Sequence, residues 1–97
     1  MIYEIAEIDI KPGTEALFET AVEKAAAQFR KSKGCRSLEL HKGIGRPSTY
    51  RLVVGWETLE DHTVNFRNSE EFLEWRRLAG PYFAQPLRVE HVTVVLR

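Results

Sequence analysis

The sequence predicts an α+β protein of the ferredoxin-like type, in which one antiparallel sheet carries helices on a single face. Three observations support this class. Stretches rich in β-branched residues alternate with stretches of helical periodicity, and their order along the chain is β-α-β-β-α-β, which is typical of this arrangement. The length of 97 residues suits one domain over residues 1–97 and leaves no room for a second.

The first half of the chain carries the clearest secondary-structure signals. Residues 2–10 are rich in β-branched side chains and end at the turn-forming pair Pro12-Gly13, which predicts a first strand. Residues 14–31 are predicted to form a helix, with Gly34 as its natural end. The apolar stripe of this helix has spacings of one, three and four residues and consists of Leu17, Phe18, Ala21, Val22, Ala25, Ala26 and Phe29.

The middle of the chain predicts a hairpin. Residues 36–41 and 50–56 have strand-like patterns, and the connection between them contains Gly43-Ile44-Gly45. This glycine pair lacks the third glycine of a phosphate-binding loop and lies between two strands, so we interpret it as a turn.

The last third predicts two short helices and a final strand. Helix-start signals occur at Thr58 with Asp61, and again at Asn68 with Glu71. The second helix is expected to end near Gly80-Pro81, and residues 87–96 to form the fourth strand. The inward residues of the second helix are predicted to be Phe72, Trp75 and Leu78 or Ala79.

Both faces of the predicted sheet carry apolar side chains. The third strand places Tyr50, Leu52, Val54 and Trp56 on one face and Val53 and Gly55 on the other; the fourth places Val92, Val94 and Leu96 opposite Val89 and Val95. Helices cover only one face, so the face with Val53, Gly55, Val89 and Val95 needs another cover. We therefore expect a homodimer that associates through its sheets.

Composition excludes several classes of function. Fourteen basic and fourteen acidic residues give a formal net charge of zero, so we expect neither a nucleic-acid partner nor a membrane surface. The single Cys35 cannot form an internal disulfide, which suits the cytoplasm. Acidic residues interrupt the apolar N-terminal stretch, so neither a signal peptide nor an anchor is expected there. No apolar run approaches the roughly 18 residues that a membrane span needs.

One family resemblance extends over nearly the whole chain. The first strand ends in Lys-Pro-Gly, the third ends in Trp56-Glu57-Thr58, a polar helical segment with His62 follows, and then come Ser69 and Phe72-Leu73-Glu74-Trp75, with Val89-Glu90-His91 in the final strand. This pattern resembles the antibiotic biosynthesis monooxygenase domain family of small dimeric α+β barrels. The resemblance implies a homodimer and a pocket between the sheet and its helices. Members oxygenate polycyclic phenols without metal or flavin, act on quinols, or degrade haem, and many have no known activity.

His62 and Asn65 are the candidate catalytic residues. They stand three positions apart and would share one face of an α-helix. A neutral imidazole can accept a phenolic proton near neutral pH, and an amide can stabilise the resulting oxyanion. The pair therefore suits cofactor-free oxygenation of small aromatic phenols or quinols. Alternatively, His62 is a solvated surface residue, and Asn65 satisfies backbone groups between two helices.

Four aromatic side chains could form the flat walls of a substrate site: Trp56, Phe66, Trp75 and Phe83. Tryptophans such as Trp56 and Trp75 are more often ordinary core residues than pocket walls, and that is the alternative. Arg67, Arg76, Arg77 and Arg88 are interpreted as solvated surface, with the alternative that one reaches an anionic substrate.

Other chemistries have less support. His41, His62 and His91 lack the spacing of metal ligands, so no metal or other cofactor is expected. Haem-degrading members share an Asn, a Trp and a His, whose positions fall near Glu7, Phe66 and Arg76 here, so haem degradation is only a third hypothesis. The alternative to an enzyme is a dimeric small-molecule-binding or stress-associated barrel without turnover, in which His62 would point to solvent.

Overall fold

The chain forms a four-stranded antiparallel sheet in the order β2-β3-β1-β4, with its helices packed on one face. The computed structural model describes residues 1–97. The predicted ferredoxin-like α+β fold is confirmed. Its strands and helices are β1 (Ile2–Asp9), α1 (Glu15–Arg30), β2 (Cys35–Lys42), β3 (Thr49–Trp56), a π-helical segment (Asp61–Phe66), α2 (Glu70–Ala79), a 3-10 turn (Gly80–Tyr82) and β4 (Arg88–Val92).

Helix α1 packs on the sheet through the stripe predicted from its spacing. Phe18 and Ala25 are fully buried, and Phe29 contacts Phe66 and Trp75 from the other helical segments. Leu17 was placed on this stripe wrongly, because it is 58% exposed. The buried stripe of the helix is narrower than the set of apolar residues in the sequence, so Leu17, next to Phe18, falls outside it.

The inner face of the sheet supplies most of the core. Tyr50, Leu52, Val54 and Trp56 alternate along β3 and are each at most 1% exposed, as their spacing predicts. Burial of one such side chain contributes roughly 1.5–3 kcal/mol. This face is therefore the platform on which α1, α2 and the π-helical segment are positioned.

Strand β4 differs from the prediction in length and in orientation. It ends at Val92 rather than continuing to residue 96. Val89 pairs with Ala6 and so lies on the helix-covered face, whereas Val92 pairs with Tyr3 and lies on the outer face. The prediction that Val89 faces outward was wrong. Alternation fixes which residues share a face, but only the register with β1 decides which face is covered.

The outer face of the sheet is apolar over one half only. Tyr3, Ile5, Val53, Gly55 and Val92 share this half by register. The other half is polar and contains Glu7, Arg51, Arg88 and His41. The predicted bare apolar face is therefore a patch of two residues on β1, two on β3 and Val92 on β4, bordered by Glu39 of β2 and Glu90 of β4. No helix in the structure has the length and hydropathy to span a membrane.

Candidate functional site

A cavity of about 500 Å³ lies between the sheet and helix α2. Its volume is in the range of small-molecule sites. Its apolar lining is mostly aromatic and comprises Phe66, Phe72, Trp75, Phe83, Leu87 and Val89. Its polar lining includes Glu4, His62, Arg67, Arg76 and Gln85. Three of the four predicted wall residues, Phe66, Trp75 and Phe83, are thus brought together with His62.

A buried carboxyl group contacts His62 at this cavity. Glu4 lies on the inner face of β1, where only 5% of the residue is exposed. Its Oε1 is 3.3 Å from His62 Nε2 and accepts a 3.0 Å hydrogen bond from Trp56 Nε1. Both contacts use Oε1, which leaves Oε2 without a partner. Every fully buried polar side-chain atom has a partner, so Oε2 is not fully buried and is the oxygen available to a molecule in the cavity.

A second histidine extends this contact toward the sheet edge. His62 Nδ1 is 2.8 Å from Nε2 of His91, a half-buried residue that pairs with Glu4 across β1 and β4. The His62 ring stacks on Trp56 with 5.6 Å between centroids and an interplanar angle of 18°. Glu4, His62 and His91 therefore form one continuous line of polar contacts, and the stacking fixes the ring at its centre.

Burial moves the pKa values of the central pair in opposite directions. Loss of hydration raises the pKa of Glu4 to about 7, although the Trp56 hydrogen bond and the Arg67 charge oppose this. Loss of hydration, with the positive charge of Arg67, lowers the pKa of His62 to about 4. Near neutral pH, His62 is therefore uncharged, and Glu4 divides between its acid and carboxylate forms.

The segment that carries His62 has an unusual helical geometry. Thr58 Oγ1 accepts from the Asp61 backbone N–H at 3.1 Å, and Asp61 Oδ2 accepts from the Thr58 N–H at 3.2 Å, as the start signal predicted. The Arg67 N–H then bonds the His62 carbonyl, five residues back. This π-helical pattern is rare and occurs often at functional sites.

The π-helix separates the two predicted catalytic residues. Asn65 is exposed, does not line the cavity, and reaches Asp61 Oδ1 with its Nδ2 at 3.4 Å. A π-helical turn holds more residues than an α-helical turn, so positions three apart no longer share a face. The predicted pairing of Asn65 with His62 at one site was wrong.

Trp56 and the start of α2 also differ from their predictions. Trp56 is 0% exposed and does not line the cavity. It contacts Glu4 and His62 from the core side, through its hydrogen bond and its ring stacking. The N-cap of α2 is Ser69, whose Oγ accepts from the Phe72 N–H, rather than Asn68. Asn68 instead donates to the Val64 carbonyl. The amide side chain is bound to the preceding turn and is unavailable for capping.

Two members of the polar line were missed in the sequence, although a signal exists for both. Glu4 has the same parity as Ala6 and Ile8, so an acid stands among residues of the inner face. His91 has the parity of Val89 on β4. An ionisable residue at an inward strand position is a candidate for function, because its burial requires a partner.

Comparison with known proteins gives one consistent family. The family model described as "Antibiotic biosynthesis monooxygenase" matches residues 1–78. The chain is 41% identical over 91 residues to the uncharacterized protein YczJ of Bacillus subtilis (strain 168), which covers 94% of this chain and 96% of that protein.

Solved structures give the same result. A Bordetella bronchiseptica protein named "Putative antibiotic biosynthesis monooxygenase" has 47% identity and a TM-score of 0.96, covering 98% of this chain and 97% of that one. A mutant of SnoaB, a cofactor-independent oxygenase from Streptomyces nogalater, has a TM-score of 0.84 at 14% identity and covers 99% and 94% of the two chains. At that identity, the likeness shows the shared fold.

Proposed function

The chain belongs to the antibiotic biosynthesis monooxygenase family, and on that premise we propose that it oxidises small aromatic phenols or quinols to quinones with molecular oxygen. One observation carries the proposal. A buried carboxyl–imidazole contact, between Glu4 and His62, lines a cavity whose apolar walls are mostly aromatic. The walls suit a flat ring, and the polar contact suits removal of its hydroxyl proton.

Glu4 is the proton acceptor in this proposal, and His62 positions its carboxyl group through the contact with Oε1. General bases are most effective when their pKa is close to the working pH. The pKa of Glu4 is raised to about 7, whereas the pKa of His62 is lowered to about 4, which makes the imidazole a weak base. The sequence-based role of His62 as acceptor is therefore assigned to its carboxyl partner.

His91 provides an exit for the proton. When the carboxyl group turns so that its O–H faces the imidazole, Glu4 donates this proton to His62 Nε2 and the His62 Nδ1–H proton passes to His91 Nε2, along contacts of 3.3 Å and 2.8 Å. Neutral imidazole has one donor and one acceptor nitrogen, so it can pass a proton along such a path. Glu4 then returns to its carboxylate form.

Arg67 stabilises the ionised substrate. It lines the cavity, and its charge acts on both Glu4 and His62. A phenolate next to these residues would lie in the same positive potential. The negative charge that develops on the ring oxygen is thereby favoured without a metal ion.

The oxidation balances with oxygen as the only co-reactant. An electron-rich phenolate transfers electrons to O2, and one oxygen atom replaces a ring hydrogen and becomes the second carbonyl. The other oxygen leaves as water with the ring hydrogen and the phenolic hydrogen, so the substrate supplies all four electrons. A quinol instead gives up two hydrogens, and O2 is reduced to hydrogen peroxide.

We also propose that the protein works as a homodimer joined through the outer face of the sheet. The apolar half of that face, from Tyr3 and Ile5 across to Val53 and Val92, supports this. A second copy would cover it, since the same patch on two chains is self-complementary around a two-fold axis.

The non-catalytic alternative has less support. It places His62 in solvent, whereas His62 is only 2% exposed and lines the cavity. A binding barrel has no need of a buried acid whose pKa is raised to about 7. The oxygenase is therefore the function that the geometry supports best.

An oxygen electrode tests the proposal. Uptake is measured with a panel of hydroquinones and anthrones, for wild type, Glu4→Gln, His62→Ala and the control Glu23→Gln on the exposed side of α1. We expect uptake by wild type and the control, and a loss of about 100-fold or more in Glu4→Gln. No uptake by wild type overturns the activity, and full uptake by Glu4→Gln overturns the base assignment.

A further inference from the structure

Two arginines supply the positive charge of the cavity. Arg67 and Arg76 both line it, and neither has a carboxylate within 4.0 Å, the limit for an ion pair. Glu4 is the only acid in the lining. The lining thus contains two exposed arginines and one acid, so its net charge is positive even when Glu4 is ionised.

The neighbouring arginine on the same helix shows the contrast. Arg77 binds Glu74 through two hydrogen bonds of 2.6 and 2.7 Å and does not line the cavity. Its charge is therefore matched within the helix. Arg76, one residue earlier, has no such partner among the three glutamates of α2, which are Glu70, Glu71 and Glu74.

Arg76 and Arg67 act at different parts of the cavity. The charge of Arg67 reaches Glu4 and His62, where the hydroxyl proton would be removed. The Arg76 guanidinium lies 5.5 Å from the centroid of the Phe83 ring. A cation–π contact holds a guanidinium over one ring face and leaves its N–H edge free to bind a planar anion.

We propose that the substrate is an aromatic acid, a phenol or quinol that also carries a carboxylate, and that Arg76 binds this carboxylate. This inference rests on the proposed function for the identity of the reacting hydroxyl. A guanidinium and a carboxylate form two parallel charge-assisted hydrogen bonds. The carboxylate would therefore orient the ring in the cavity and direct its hydroxyl toward Glu4.

Calorimetric titration without oxygen tests the inference separately from turnover. The probes are 6-hydroxy-2-naphthoate and its neutral amide, which differ in charge at the end remote from the hydroxyl. The proteins are wild type, Arg76→Gln and the matched control Arg77→Gln. We expect wild type and Arg77→Gln to bind the acid roughly tenfold more tightly than the amide, and Arg76→Gln to lose this preference.

Salt provides a second readout. The preference for the acid should fall as ionic strength rises, while binding of the amide should change little. Equal affinities for acid and amide in wild type overturn the inference. So does an unchanged preference in Arg76→Gln, or failure of both probes to bind.

The two proposals fail in distinguishable ways. If the acid binds through Arg76 but no quinol or phenol causes oxygen uptake, the oxidation is wrong and the acid site stands. If the amide is oxidised as fast as the acid and binds as tightly, the acid site is wrong and the oxidation stands.

Discussion

Glu4 Oε1 and His62 Nε2 lie 3.3 Å apart in the interior of the fold, and burial favours the uncharged form of both. The pKa of the acid is raised to about 7 and that of the imidazole is lowered to about 4. The pKa of the acid is therefore higher than that of the imidazole, which is the reverse of their ordinary order. This contact connects the stability of the fold with the chemistry proposed for the cavity.

The contribution of Glu4 to stability should fall as pH rises, in the opposite sense to that of His62, whose pKa is lowered. The pKa of Glu4 is 4.5 when exposed and about 7 in the folded chain, so between these values the folded state holds a proton that the unfolded state has lost. Its contribution is fully present below pH 4.5 and is lost as pH rises through about 7. At 1.36 kcal/mol per unit, the loss is about 3 kcal/mol.

Glu4→Gln removes this titration. Urea unfolding at several pH values should show the free energy of unfolding of the variant rising relative to wild type by about 3 kcal/mol between pH 4.5 and 7.5. The exposed acid Glu23, changed to Gln, is the control. A difference between Glu4→Gln and wild type that is constant across this range would contradict the burial of Glu4 as an acid.

Gly34→Ala should damage the segment that carries His62. Gly34 has φ +82°, and a methyl group there would overlap the Asp61 carboxylate, which accepts a hydrogen bond from the Thr58 N–H just before the π-helical segment. Gly13 has a similar φ of +89° but open space around it. Gly13→Ala should therefore cost about 1 kcal/mol from backbone strain alone, and Gly34→Ala clearly more.

Urea denaturation of both glycine variants measures this difference. The comparison isolates the contact with Asp61, because the backbone strain is nearly the same in the two variants. Equal losses of unfolding free energy would show that the Gly34–Asp61 approach has no role in holding the segment.

The proposed dimer should dissociate when charge enters the apolar half of the outer face. Wild type is expected to sediment at twice its 11.2 kDa mass at micromolar concentration. Val53→Lys should yield monomer, because Val53 belongs to that patch and pairs with Ile5. Leu73→Lys is the control, since Leu73 is 66% exposed on α2. A monomeric wild type would contradict the dimer.

The fold was predictable because its signals are local. Alternation in β3 and the helical stripe of α1 each determine a buried face from the residues of one element. The facing of Val89 was not predictable, because it depends on which residue of β1 lies opposite. The same holds for the outer face, whose polar half emerges only when Glu7, Arg51 and Arg88 are aligned by register.

The candidate site was predictable only in part. His62 and three aromatic walls follow from composition and spacing, but their partners Glu4 and His91 come from two separate strands. Asn65 was misplaced because the spacing was interpreted with α-helical periodicity, and nothing in six residues signals a π-helix. Long-range pairing and a change of helical period are both invisible to local patterns.

Labelling with 18O2 tests the central claim most directly. Anthrone is incubated with wild type or Glu4→Gln, and the quinone is analysed by mass spectrometry after subtraction of a protein-free blank. The account predicts that wild type forms anthraquinone with one 18O atom, at a rate that rises with pH through about 7 as Glu4 ionises, and that Glu4→Gln is slower by about 100-fold or more. No labelled quinone above the blank, or equal rates in the two proteins, would contradict it.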